Sequence, residues 1–386
     1  MTNPAGLPAT AGGQRTTTAA RTVSGRVFLL DSPQYSREVP AFLSADRSGL
    51  VLSGKGGNSK VAAHGLVSQA MLLADPAAYT SQVATADEPF ALPEDDNTLF
   101  GSDLQSVLQG QRQSHAAATI TPSRYIQAGD SKAFKALVRH TGAIERDDVI
   151  VAVPVSLAWL KQKQYLPQLI AGLQRIPHPK AMMFGSQKNP FDVADTIVNF
   201  RRLLAETTNV GLWRADVPAA FDCLVYGGAF AAIGAGGSLR HLVPPDEKAR
   251  AENPGAHTPS VLLPSMLRYS QGRTIAERYA NTPAPPCCGC PVCAGAPLDR
   301  FNSLDPAVRA IAHAHNAAVW TGWLGDLFGH SSSLQRQQWW RGVCQAAVEE
   351  HEKENTRLRQ AGAFKPPAAL RRLATLPLPG EFQARH

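Results

Sequence analysis

The chain has 386 residues, 44% hydrophobic and 18% charged, with a formal net charge of +7. That length suits one large α/β barrel or two smaller domains, and the composition suits a folded, enzyme-like core. No apolar run reaches membrane-spanning length, so no membrane partner is expected, and the basic balance permits a polyanionic partner without requiring one.

Residues 1–22 are rich in Ala, Thr and Gly and lack an apolar h-region. They are expected to form a disordered lead-in, neither signal peptide nor anchor. Val27-Phe28-Leu29-Leu30 reads as a first strand and Gly49-Leu50-Val51-Leu52 as a second. The stretch Ser53-Gly54-Lys55-Gly56-Gly57-Asn58-Ser59-Lys60 follows; its glycines free backbone N–H groups and its lysines add charge. It lacks the Gly-Lys-Ser/Thr ending of a nucleotide-hydrolysing loop. A flexible basic loop touching a phosphate backbone through Lys55 and Lys60 fits better.

The apolar run Ala70-Met71-Leu72-Leu73-Ala74 ends at Asp75. An acid directly after a buried strand lies where α/β enzymes place their chemistry, although a loop Asp can also cap the next segment. Residues 87–123 are polar and turn-rich, with the character of a long loop or lid. From residue 149 the pattern becomes regular. Strands are expected over 149–155, 181–184 and 210–213, and helices over 160–173 and 193–205. The third of those strands runs into Asp216. A short helix is expected around Ala219, followed by the apolar run from Cys223 to Tyr226. Gly227-Gly228 is expected at the C-terminal end of a strand, at the mouth of the main pocket, where glycine lets a planar ligand approach the backbone. Strands alternating with helices imply a parallel sheet, wound open or closed as a barrel.

Four of the six cysteines fall in Pro285-Pro286-Cys287-Cys288-Gly289-Cys290-Pro291-Val292-Cys293. Cys288, Cys290 and Cys293 read Cys-x-Cys-x-x-Cys, and the Gly and Pro between them favour turns that bring thiolates onto one ion. Three thiolates leave one tetrahedral position for a fourth ligand on Zn²⁺. The helical run over 305–328 carries His313 and His315. An imidazole from that run closes a Cys₃His site, which is structural because no position remains for water. Cys287 is a rival ligand through Cys287-x-x-Cys290. A disulfide cluster fits less well without a secretory signal, and a cytoplasmic protein is expected. Beyond this segment a helix is expected over 334–362, with Arg336 and Arg341 opening a basic stretch suited to phosphates. Tryptophans 320, 323, 339 and 340 are expected in the core, and the tail from residue 364 is expected to be extended.

Cys288-x-Cys290-x-x-Cys293, followed by a helix with His315-Asn316, resembles the zinc segment of the tRNA-guanine transglycosylases and their DNA-modifying relatives. Three further stretches fall in that family's order. Leu72-Leu73-Ala74-Asp75 resembles the strand carrying a catalytic aspartate. Phe184-Gly185-Ser186-Gln187 resembles the strand whose Gln contacts the base. Phe221-Asp222-Cys223-Leu224-Val225-Tyr226-Gly227-Gly228 resembles the segment whose glycines meet the base. The resemblance implies a (β/α)₈ TIM-like barrel over 23–330, with an inserted zinc segment at 285–316. A C-terminal helix and basic tail occupy 331–386. It also implies exchange of a guanine for a 7-deazaguanine base in DNA or tRNA, DNA slightly favoured because no appended RNA-binding module is seen.

The sequence also departs from the family. Asp75 is followed by Pro-Ala-Ala, and Val151-Ala152-Val153-Pro154 offers no base-recognising acid. Ser260 stands where a nucleophilic aspartate is expected. Asp216 and Asp222 are then the candidates for the missing carboxylate. Two other readings compete: a non-catalytic nucleic-acid-binding or partner subunit of the same fold, and an unrelated α/β protein whose zinc module makes protein contacts.

Overall fold

The computed structural model describes residues 17–66, 68–93, 103–247, 257–281 and 284–379. In chain order the elements begin with α1 (Thr18–Val23), β1 (Arg26–Asp31), β2 (Ser48–Ser53), α2 (Gly57–Gly65), β3 (Met71–Asp75), α3 (Leu104–Gln113) and β4 (Thr119–Ile120). Next come α4 (Ser131–Gly142), β5 (Val149–Ser156), α5 (Ala158–Lys161), α6 (Leu166–Gln174), β6 (Lys180–Gly185) and α7 (Thr196–Glu206). The barrel ends with β7 (Val210–Ala215), α8 (Val217–Val225) and β8 (Phe230–Gly234). Beyond it lie β9 (Ser260–Leu263), β10 (Arg268–Gln271), α9 (Gly272–Tyr279), α10 (Pro306–Gly322), α11 (Leu324–Gly329), α12 (Ser333–Arg357) and α13 (Ala368–Thr375).

Strands β1 to β8 form one sheet in the order β3-β2-β1-β8-β7-β6-β5-β4, with every pairing parallel. Read as a circle, that order is sequential. The Ala117 amide, just before β4, donates to Leu72 O on β3 at 2.9 Å and nearly closes the ring. The architecture is an eight-stranded parallel α/β barrel of TIM type. Side chains alternate across each strand. Phe28, Leu30, Val51, Leu73, Ile150, Met183 and Trp213 fill the interior, whereas Val27, Leu29, Leu50, Leu72 and Val151 pack outward against the helices. β9 and β10 form a separate antiparallel ribbon after the barrel.

Several expected elements take another form. The lead-in expected over 1–22 ends in α1, whose Ala19 and Val23 join the interior cluster while the Ala19 amide bonds Asp147 O at the strands' N-terminal end; residues 1–16 lie outside the described residues. The long loop expected over 87–123 contains α3 and β4, with 94–102 outside the described residues. The run Cys223–Tyr226 is the end of helix α8, and the last barrel strand is β8. The tail expected to be extended from residue 364 holds α13. Among the described residues no helix is long and apolar enough to cross a membrane.

Candidate metal centre and barrel mouth

The cysteine loop folds on itself. Cys293 and Ala294 amides both donate to Cys290 O, at 3.0 and 2.8 Å, and Gly295 N donates to Cys288 O at 2.9 Å. Left-handed backbone at Ala294 and Gly295, φ 48° and 87°, completes the reversal. The loop sets three sulfurs against α10, where His315 is fully buried. One ligand atom each from Cys288, Cys290, Cys293 and His315 lies within 4.8 Å of all the others. His315 Nδ1 is 3.4 Å from Cys290 Sγ and 3.2 Å from Cys293 Sγ. Its other nitrogen, Nε2, donates to Leu262 O at 3.0 Å. That bond fixes the tautomer with a free Nδ1 lone pair, as a metal-ligating histidine needs. Arg300 Nη2, 3.2 Å from Cys293 Sγ, offsets the negative charge of three thiolates. The result is a buried Cys₃His cluster able to hold a metal ion, with four protein donors and no open position.

The two alternatives left by the sequence resolve geometrically. Cys287 is exposed, with its sulfur toward Pro285 O. His313, two residues before His315, points the other way and bonds Asp31 Oδ2 at 2.9 Å, both groups being buried.

The C-terminal ends of the barrel strands form the mouth. Asp75 ends β3 and points inward, like Leu73 two residues earlier. Its Oδ2 accepts from the Tyr79 hydroxyl, Trp213 Nε1 at 3.2 Å and Ser53 Oγ at 3.3 Å; its Oδ1 accepts from the Ala77 amide at 2.9 Å. Arg214, the next-to-last residue of β7, lies beside a register irregularity, with a left-handed φ of 55°. That turn sends its guanidinium across the mouth to Tyr79 Oη (3.1 Å), Ser238 O (3.1 Å) and Ser53 Oγ (3.5 Å). Burial draws the Arg214 guanidinium down, and Tyr79 and Asp75 more than offset it, so its pKa rises.

Asp216, directly after β7, caps α8 through the Ala219 amide at 3.0 Å and accepts from Asn189 Nδ2 at 2.7 Å. Burial pushes its carboxyl up to about 6. Arg240 stands near it, stacked 3.8 Å over the Tyr269 ring and donating to Ser260 Oγ at 3.0 Å. Burial lowers the Arg240 pKa. It also lowers that of His241, with Arg240 and Arg214 adding to the effect.

Other expected residues lie elsewhere. Asp222 is not at a strand end. It sits inside α8 and forms a two-point ion pair with Arg201 of α7, at 2.6 and 3.0 Å. Gly227-Gly228 is at the opposite end of the barrel, before β8. Its amides close α8 by bonding Leu224 O (3.4 Å) and Cys223 O (2.7 Å), with Gly227 at φ 97°, a helix-terminating turn of Schellman type. Among the glycines at the mouth, Gly234 ends β8, and Gly236 and Gly237 follow it. Gln187 follows β6 and donates to Glu247 at 2.7 Å. Lys55 follows β2 at the mouth and Lys60 lies on α2, both exposed. Arg336 and Arg341 lie on α12, which packs outside the barrel against α8, and Arg341 acts on Tyr226 near the end remote from the mouth. Arg214, Tyr79 and Arg240 were missed by sequence reasoning. Tyr79, four residues after Asp75, was the one legible signal, whereas the arginines reach the mouth through a backbone irregularity and a short turn.

Compared with models of known protein families the sequence matches none, and the curated proteins offer no match either.

Proposed function

We propose that the chain is a transglycosylase-like enzyme that exchanges a guanine for a 7-deazaguanine base in nucleic acid, DNA slightly favoured over tRNA. The observation that carries this is the placement of Asp75 and Asp216 at the C-terminal ends of two barrel strands, beside a ribbon tied to a Cys₃His cluster. Barrel enzymes work at that face. Zn²⁺ suits the donor set, and its part is structural, holding the cysteine loop to α10.

The two acids take different roles. Asp75 attacks the anomeric carbon as the bond to guanine breaks, giving a covalent glycosyl ester. Asp216, with a pKa near the working range, protonates the departing base and then takes the proton of the incoming one, whose nitrogen displaces Asp75. Arg214 and Tyr79 cover Asp75, so the flipped nucleotide reaches it only when Arg214 swings aside. Lys55 and Lys60, both exposed, hold phosphates outside the mouth in this reading. In this reading Asp222, Arg336 and Arg341 have no part in the reaction, and Gln187 reaches the base by leaving Glu247. The close backbone approach expected of Gly227-Gly228 falls to the turn after Gly234.

A second reading has its own observation. The Asp75 carboxylate already accepts four hydrogen bonds, and Ser260, not an acid, stands on β9. A chain with these features also suits a non-catalytic nucleic-acid-binding or partner subunit. A base-exchange assay with labelled guanine, on DNA and on tRNA, tests the choice. Exchange that is lost in Asp216→Asn supports the enzyme. Binding of nucleic acid without exchange by the wild type supports the subunit.

A further inference from the structure

β9 has one edge paired with β10 and one edge that no strand among the described residues covers. An open strand edge presents unpaired N–H and C=O groups. Here two consecutive side chains of α10 meet them. Asn316, fully buried, accepts the Leu262 amide on Oδ1 at 2.7 Å and donates from Nδ2 to Ser260 O at 2.8 Å. His315 Nε2 donates to Leu262 O at 3.0 Å. The primary amide of Asn316 thus presents a donor and an acceptor together, as a peptide of a neighbouring strand would. Its neighbour His315 is the imidazole ligand of the metal cluster. At the start of the same strand, Ser260 Oγ accepts from Arg240, the guanidinium stacked on Tyr269 at the mouth.

We infer that Asn316 is a positioning residue: it transmits the fixed geometry of the metal centre to the barrel mouth by holding β9 so that Ser260 meets Arg240. The inference rests on the mouth being the working face, but not on base exchange. Metal binding fixes His315, the α10 turn fixes Asn316 beside it, and the paired bonds fix both the register and the tilt of β9. Without them the strand keeps its β10 partner and the single bond from His315 to Leu262 O, and Ser260 moves relative to Arg240.

The test uses a thiol reporter at Ser260. Ser260→Cys is made in a Cys287→Ser background, because Cys287 is the exposed free thiol while Cys223 and Cys344 are buried. With metal bound, the ligand thiolates are protected. A cation within hydrogen-bond reach favours the thiolate, so iodoacetamide should alkylate the reporter quickly at pH 7, and Arg240→Ala should remove that advantage. Adding Asn316→Ala should slow alkylation about three- to tenfold, since one pKa unit changes the thiolate fraction about tenfold and lower basicity offsets part of this. Metal content should stay at one ion per chain. Asn316→Ser, which keeps one hydrogen-bonding group, should fall between. An alkylation rate within about twofold of the parent in metal-loaded Asn316→Ala overturns the inference. So does failure of both Asn316 variants to fold with metal bound, because Asn316 then serves stability alone. Base exchange is not read, so either outcome leaves the proposed activity to its own assay.

Discussion

Replacing Asp216 by Asn separates the charge of that carboxyl from its capping role. Asn caps helices as well as Asp does, so the bond from the Ala219 amide survives. The second oxygen fares worse. An amide there faces Asn189 Nδ2, and Asn189 is held in its orientation because its Oδ1 already accepts the Phe191 amide at 3.1 Å. That mismatch costs about 1 kcal/mol. Charge works in the opposite direction. Burial raises the folded-state pKa from 3.8 to about 6, so the folded protein holds the proton more tightly than the unfolded chain. The stability conferred by the neutral acid is whole below about pH 3.8 and is lost as the pH climbs through about 6. At about 1.4 kcal/mol per pH unit the loss is of order 2–3 kcal/mol, taken at the low end because Asp216 keeps some solvent contact. A neutral Asn avoids that loss. Asp216→Asn should therefore stabilise the protein by about 1 kcal/mol at pH 8 and destabilise it by about 1 kcal/mol at pH 4. Thermal unfolding of both proteins across that range should show melting temperatures that cross. A variant destabilised equally at both pH values would refute the assignment of a raised carboxyl.

Asp75→Asn should reduce base exchange by at least about 10²–10⁴-fold and also lower stability by about 1–3 kcal/mol, since an amide meets the Trp213 and Tyr79 donors; exchange assays and denaturant titration check the two effects separately. His315→Ala should lose the bound metal, whereas His313→Ala should keep it and lose about 1–3 kcal/mol through the orphaned Asp31, a contrast readable by metal analysis and thermal melts. Gly234→Ala drives a Cβ into the backbone of Leu239 and Arg240 and should weaken ligand binding at the mouth. Gly227→Ala meets no neighbour and should cost only roughly 1–2 kcal/mol of backbone strain, with binding titrations unchanged.

The strands legible in the sequence were those with β-branched or Leu-rich runs: β1, β2, β3, β5, β6 and β7. β4 is two residues long, and β8, Phe-Ala-Ala-Ile-Gly, is short and rich in small residues. α8 was legible only in its first half, where a short helix is expected around Ala219. All nine of its residues are buried, between the sheet and α12 and α13, so the 3.6-residue alternation that marks a helix is missing. The apolar run of its second half, Cys223 to Tyr226, then reads as a strand, and Gly227-Gly228 moves with it to the wrong end of the barrel. Pro366-Pro367 suggested an extended tail, yet proline just ahead of a helix is compatible with starting one, as α13 does. The cysteine cluster was legible because its spacing is local. The choice of His315 over His313 came from the resemblance, through the Asn316 that follows it, and the cluster bears it out; spacing alone left it open, because His313 is claimed by Asp31, 282 residues away.

Asp31 and Asp75 pose the same question to a reader of the sequence, since each closes an apolar strand. The period of two answers it. Leu30 points into the barrel, so Asp31 points out; Leu73 points in, so Asp75 does too. One acid therefore reaches the mouth and the other faces the outer layer, where it meets His313 on α10. This fixes how the metal segment relates to the barrel. α10 is tied to the end of β1 through Asp31–His313, and to the ribbon through His315 and Asn316. A module added only for contacts with other proteins would need one attachment to the barrel, whereas two attachments on one helix fix its orientation. They place the metal cluster and the mouth in one frame, which the hold of Asn316 on β9, beside the Ser260–Arg240 bond, requires and a peripheral module does not.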